Sequence, residues 1–157
     1  MTSGNKTGNG RIADLLTRSY NAELETVMNY LANSVNLDGI RAEHIKKSLD
    51  ADVAEELGHA RQLAARIKVI GGAVPGSLDL RWSQKMLQPP KKSTDVVAVI
   101  KGVIAAEEDA IRGYEEIIRA CDGEDYVTQD LAITILGDEQ NHRRVFLGFL
   151  KEIEADR

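Results

Sequence analysis

All three prolines of the chain, Pro75, Pro89 and Pro90, fall in one window, and the long stretches on either side of it contain none. Proline inside a helix removes an amide hydrogen and crowds the preceding turn, so only that window is closed to long helices. Apolar residues fill the open stretches at helical spacing. Over 11–37, Ile12, Leu15, Leu16, Val27, Leu31 and Val35 recur three, four and seven apart, the mark of one buried helix face, and Asp38-Gly39 supplies a stop. Over 42–70 the stripe is Ile45, Leu49, Val53, Leu63 and Ile67, ended by Gly71-Gly72. Two long helices joined by so few residues must lie antiparallel, side by side.

Beyond the window the pattern repeats. Ser93-Thr94-Asp95 offers capping side chains to a helix running through Val96, Ile100, Val103, Ile111 and Ile118 to Cys121, and Asp122-Gly123 breaks it. A fourth helix over 125–152 carries Leu131, Ile135, Val145, Phe146 and Phe149. The segment 71–92 between the hairpins has no sustained period. Its 22 residues, at up to about 3.3 Å each, can run the roughly 40 Å length of a 27-residue helix, so helices two and three can be parallel. The expectation is an all-α four-helix bundle of two antiparallel hairpins joined by a long crossover.

At 157 residues the chain has room for one domain, read as 11–157, with the polar, glycine-bearing 1–10 as a flexible tail. Twenty Lys+Arg against 25 Asp+Glu give a formal charge of −5, which argues against a surface built to grip phosphates. Lys46-Lys47, Lys91-Lys92, and Lys6 with Arg11 are small clusters that do not change this. One cysteine, Cys121, forms no internal disulfide, and no apolar run is long enough to cross a membrane. These features suggest a cytoplasmic protein.

The residues that interrupt the stripes carry the chemistry. Glu23 falls between Leu16 and Tyr30, seven residues from each, and Glu107 falls between Ile100 and Tyr114 in the same way. Glu56 lies seven after Leu49 and seven before Leu63, with His59 one turn on; Glu139 and His142 repeat the pair between Ile135 and Phe146. The order Glu-x6-Tyr, then Glu-x2-His, thus occurs twice, the second copy 84 (23 to 107, 30 to 114) or 83 (56 to 139, 59 to 142) residues after the first. A surface Glu–His hydrogen bond is the plainer alternative for each pair, and an edge charge is the plainer alternative for Glu23 and Glu107 taken singly. Repetition of order, spacing and mid-helix placement favours the core. Four carboxylates and two imidazoles in a low-dielectric interior demand compensation. Two divalent cations would balance the four carboxylates and take one imidazole nitrogen each, the donor set of di-iron and di-manganese carboxylate bundles. Zinc fits the same donors without redox chemistry.

With Glu23-x6-Tyr30, Glu56-Leu57-Gly58-His59, Glu107-x6-Tyr114 and Asp138-Glu139-Gln140-Asn141-His142, the chain resembles the ferritin-like superfamily across all four helices. His142 on helix four brings it nearest to the symmetric di-iron centre of bacterioferritins. The resemblance implies two iron ions per subunit, with Glu56 and Glu139 bridging and Glu23, His59, Glu107 and His142 as terminal ligands. It implies Fe(II) oxidation by O2 or H2O2 and storage in a homo-oligomeric shell of 12 or 24 subunits, with manganese or zinc as substitute metals. Leu57 stands where bacterioferritins carry a haem-ligating Met, so haem is not implied. The crossover with Trp82 is similar to that of Dps-type mini-ferritins. Two rivals use the same donors without storage, a rubrerythrin-like peroxidase and a manganese catalase. A third, of another class, is a metal-free helical interaction or DNA-protection protein.

Tyr30 and Tyr114 read equally as core tyrosines with satisfied hydroxyls and as partners of the metal ligands. Glu25, Glu55 and Glu108 lie about 100° or more around their helices from the buried stripe and are expected in solvent. His44 is expected exposed near the start of helix two, and Cys121 as an inert core residue.

Overall fold

The computed structural model describes residues 8–156. Four helices, α1 (Gly8–Asn36), α2 (Glu43–Val69), α3 (Val96–Cys121) and α4 (Tyr126–Ala155), form the expected bundle. Helix α1 already begins at Gly8, inside the stretch read as tail; residues 1–7 of that stretch lie outside those described. Gly39 at φ +100° and Gly71 at φ +90° turn the chain out of α1 and α2 through left-handed backbone that a side chain would resist. Asp95 caps α3 by accepting from the Ala98 amide at 3.1 Å, and Asp125 caps α4 from the Thr128 amide at 3.0 Å. Asp125 also receives Arg66 of α2 at 2.9 Å, which pins the start of α4 against the end of α2.

Two apolar clusters fill the bundle. One joins Tyr30, Leu49, Ile100 and Phe146; the other joins Leu16, Leu63, Ile117 and Ile135. Fully burying each aliphatic side chain is worth roughly 1.5–3 kcal/mol. The first cluster draws on the C-terminal half of α1, the N-terminal halves of α2 and α3, and the C-terminal half of α4. Helices α2 and α3 are therefore parallel, and α1 runs against both. Cys121 is buried at the second end, and burial pushes its thiol up to about 11, so it stays protonated and unreactive.

The crossover is strapped to the bundle rather than draped over it. On α1, Asn21 exchanges two 2.7 Å hydrogen bonds with the backbone of Arg81. Glu25 accepts from the amides of Ser83 and Gln84, both at 2.6 Å, and Asn33 donates to the Leu87 carbonyl at 2.8 Å. On the α3 side the strap passes so close that a Cβ at Gly102 would lie 2.4 Å from the Met86 carbonyl oxygen. Two sequence expectations fail here. Glu25, expected in solvent, is 3 % exposed because the crossover covers it. Leu31 and Val35, expected in the core, are 52 % and 70 % exposed, because the buried face of α1 turns through Thr26, Tyr30 and Asn33 instead.

Candidate metal centre

Between the two apolar clusters lies one polar layer, and all six expected residues are in it. Glu23, Glu56, His59, Glu107, Glu139 and His142 are each at most 4 % exposed. Each sits mid-helix with apolar residues a turn or two on either side, and packing of those neighbours buries the polar side chain. Their donor atoms form two groups: Glu23, Glu56, His59 and Glu139, and Glu56, Glu107, Glu139 and His142, with the atoms of each group within 4.8 Å of one another. Glu56 and Glu139 belong to both.

The histidines face the layer through Nδ1. His59 Nδ1 lies 3.1 Å from Glu56 Oε2, 3.0 Å from Glu139 Oε1 and 3.9 Å from Glu23 Oε1. His142 Nδ1 lies 3.2 Å from Glu56 Oε1 and 3.7 Å from Glu107 Oε1. Several of these separations are short without being hydrogen bonds. Glu56 Oε1, Glu107 Oε2, Glu139 Oε1 and His142 Nδ1 are buried and have no partner at hydrogen-bonding angles. Buried polar atoms are almost always paired. Four orphans in one layer converge on the space between them, which is how ligands around a cation are disposed, and the residues therefore fit a pair of divalent ions.

The opposite nitrogens are held from outside the layer. His59 Nε2 is 3.0 Å from Asp138 of α4, and His142 Nε2 is 2.7 Å from Glu55 and 3.7 Å from Asp52 of α2. Each imidazole is thus oriented by the acid that precedes the Glu of the facing helix, an arrangement that fixes ring direction and raises donor basicity. Sequence reading missed Asp138, Glu55 and Asp52. For the first two a signal existed: Glu55 and Asp138 are also 83 residues apart (138 − 55). Glu55, expected in solvent, keeps 55 % of its side chain exposed while reaching inward. Glu108 is half-buried and His44 is exposed, the latter as expected.

The tyrosines cross over. Tyr30 of α1 donates to Glu107 of α3, and Tyr114 of α3 donates to Glu23 of α1. Both hydroxyls are therefore satisfied by residues of the layer, which joins the two readings the sequence left open.

Electrostatics follow from crowding. Burial, then Glu56 and Glu139, push the Glu23 carboxyl well up; burial, then Glu139 and Glu56, do the same to Glu107. Burial also opposes ionisation of Glu56, but the close His142 and His59 imidazoles outweigh it and hold the carboxyl down at about 2. Burial works against a charge on either imidazole, yet contact with Glu139 and Glu56 raises His59 to about 10, and contact with Glu56 and Glu107 raises His142 to about 11. The imidazolium protons offset part of the carboxylate charge of the layer.

The sequence matches the ferritin-like domain family over residues 13–155. The chain belongs to the ferritin-like family. Among its relatives is a DNA protection during starvation protein of Pyrococcus furiosus, 28 % identical over 140 residues, covering 87 % of this chain and 75 % of that one. Similar solved structures include a dodecameric thioferritin, the bacterioferritin-related protein of Bacteroides fragilis, with TM-score 0.84 at 23 % identity over 94 % of this chain and 88 % of the other. Another is the bacterioferritin of Desulfovibrio desulfuricans, with TM-score 0.77 at 21 % identity over 94 % and 82 %. In this ferritin-like chain both buried acid–histidine groups suit metal binding, and among the described residues no helix is long and apolar enough to cross a membrane.

Proposed function

We propose that the protein is a ferroxidase that takes up two Fe(II) ions per chain and oxidises them with O2 or H2O2. The reading rests on the four orphaned donor atoms of the polar layer, two of them on Glu56 and Glu139, which belong to both donor groups. These two carboxylates would be shared by both ions, with Glu23 and His59 available to hold one and Glu107 and His142 the other. Four carboxylates offset the four positive charges of two ferrous ions, so the loaded layer is neutral and tolerates burial. Manganese or zinc would occupy the same donors.

Pairing the ions matters for the electron count. Each Fe(II) yields one electron, and reduction of O2 to H2O2, or of H2O2 to two waters, takes two electrons and two protons. A pair therefore completes either reaction without releasing a one-electron oxygen radical. Protons displaced from His59, His142, Glu23 and Glu107 on loading leave the layer, and Asp52 lies 3.7 Å from His142 Nε2 on their way out. Burial raises Asp52 to about 6, which suits it to hand protons back near neutral pH.

The Bacteroides relative is a dodecamer, and we place this chain in a homo-oligomeric shell of 12 or 24 subunits in which oxidised iron is stored. A ferrous substrate suits the reducing cytoplasm. Aerobic titration with Fe(II), followed by near-ultraviolet absorbance and native mass, tests the proposal. Rapid oxidation saturating at two irons per chain is expected. If Glu56→Ala and Glu139→Ala oxidise iron as fast as the wild type, the layer is not the reaction site.

A further inference from the structure

The outward face of α1 is poorly suited to water. From Ser19 to its end at Asn36 the helix carries only two charged residues, Glu23 and Glu25, and both are buried. A solvated helix face normally bears charge, and 29 % of this chain is charged. Here Leu24, Met28, Leu31 and Val35 recur four, three and four apart instead, which makes one stripe along the helix. Leu24 is half-buried and the other three are exposed. The stripe lies about 60–120° around α1 from Glu25, on the side away from α3, so it occupies the surface between the strap and α2.

Two exposed apolar neighbours extend this surface. Trp82 of the strap is held beside α1 by the bonds of Arg81 to Asn21 and of Ser83 to Glu25. Leu57 of α2 lies about 160° around its helix from Glu55, which faces α4, and so stands on the opposite edge.

Composition, area and charge point to the same occupant. An apolar face depleted of charge has the make-up of an interface between identical subunits. Met28, Leu31, Val35, Leu57 and Trp82 together expose roughly 500 Å² of side chain, enough to mark an interaction site; with a polar rim this approaches the ~800 Å² per partner of a stable dimer. The flanking charges are self-complementary. Asp50 and Arg61 lie within about 40° of Leu57 on the same edge of α2, one on either side of it along the helix. Both are exposed, and neither makes an ion pair among the described residues. A copy turned about a twofold axis through this face brings Asp50 of each against Arg61 of the other.

Deepening the shell reading, we infer that the outer face of α1, with Leu57 and Trp82 at its margins, is a twofold interface between copies of this chain.

Leu31→Glu combined with Val35→Glu places two unpaired charges per copy in the contact. Native mass followed on dilution reports the smallest unit of each protein. The wild type is expected to persist as a dimer where the double variant runs as a single chain, its dissociation constant raised about 100-fold or more. Far-ultraviolet circular dichroism and Co(II) binding should match the wild type. Should that variant misfold, Asp50→Arg at an exposed position keeps the test: it should weaken the dimer about tenfold, and adding Arg61→Asp should restore it. A wild type that runs as a single chain overturns the assignment and leaves the face to a different protein. A folded double variant that stays dimeric, or a charge swap that restores nothing, overturns it too. Wild-type dimers that never assemble into 12 or 24 subunits would defeat the shell reading and leave the interface standing.

Discussion

Loading the polar layer must expel protons, and their number follows from the geometry. In the metal-free protein His59 titrates at about 10 and His142 at about 11, so both are imidazolium at neutral pH. A cation binds imidazole only through a free lone pair, and Nδ1 is the nitrogen that faces the layer in both rings. Filling both positions thus releases two protons from the histidines. Glu23 and Glu107, pushed up by burial and by their carboxylate neighbours, carry the total toward four as the pH falls. Each displaced proton changes the binding constant tenfold per pH unit, or about 1.36 kcal/mol. With two protons, the affinity for the pair of ions rises about 100-fold for each unit of increasing pH, about 2.7 kcal/mol. Anaerobic calorimetry with Co(II), in two buffers of different ionisation enthalpy around neutral pH, counts the protons directly. Release of fewer than one proton per pair of ions, or an affinity flat with pH, would refute the account. The sign for folding without metal follows from the same groups. The raised histidines stabilise the fold fully below about 6.5, their unfolded value, and that contribution is lost as pH climbs through about 10 to 11. Glu56, held down at about 2, contributes above its ordinary range and loses its contribution as pH falls toward that value.

Gly102→Ala forces a Cβ to 2.4 Å from the Met86 carbonyl and should cost about 1–3 kcal/mol, the usual range for overpacking, read as a lower thermal midpoint. Glu25→Ala removes the shared acceptor of the Ser83 and Gln84 amides; limited proteolysis should then cut the strap near 79–84 while far-ultraviolet circular dichroism stays unchanged. Asp138→Ala frees His59 Nε2 and should weaken Co(II) binding about 10- to 100-fold. Glu55→Ala should weaken it less, because Asp52 also faces His142 Nε2, at 3.7 Å, and equal losses in the two variants would count against this division of roles.

Most of the bundle and all six core donors were legible because helical periodicity reports burial, and Glu23, Glu56, Glu107 and Glu139 sit on stripes whose other members are apolar. The strap was not legible. Its segment has no period, and what it covers depends on contacts such as Asn21 with Arg81, about 60 residues apart in sequence. Glu25 was misplaced for that reason: its angle on α1 points away from the core, toward a partner that sequence alone does not locate. Leu31 and Val35 were misplaced for a related one. Thr26, Asn29 and Asn33 occupy the face that looks toward the strap and α3, so polar residues hold inward positions that hydrophobicity would award to the leucine and valine.

Neither hairpin owns a finished centre. The group around His59 takes Glu23 and Glu56 from the first hairpin but needs Glu139 from the second, and the group around His142 borrows Glu56 in return. The bonds of Tyr30 to Glu107 and Tyr114 to Glu23 cross the same boundary. Separated halves of the chain would each be a pair of amphipathic helices with ligands and no chelate. Metal binding at the layer would consequently report on docking as much as on chemistry, and added Co(II) should draw severed halves together.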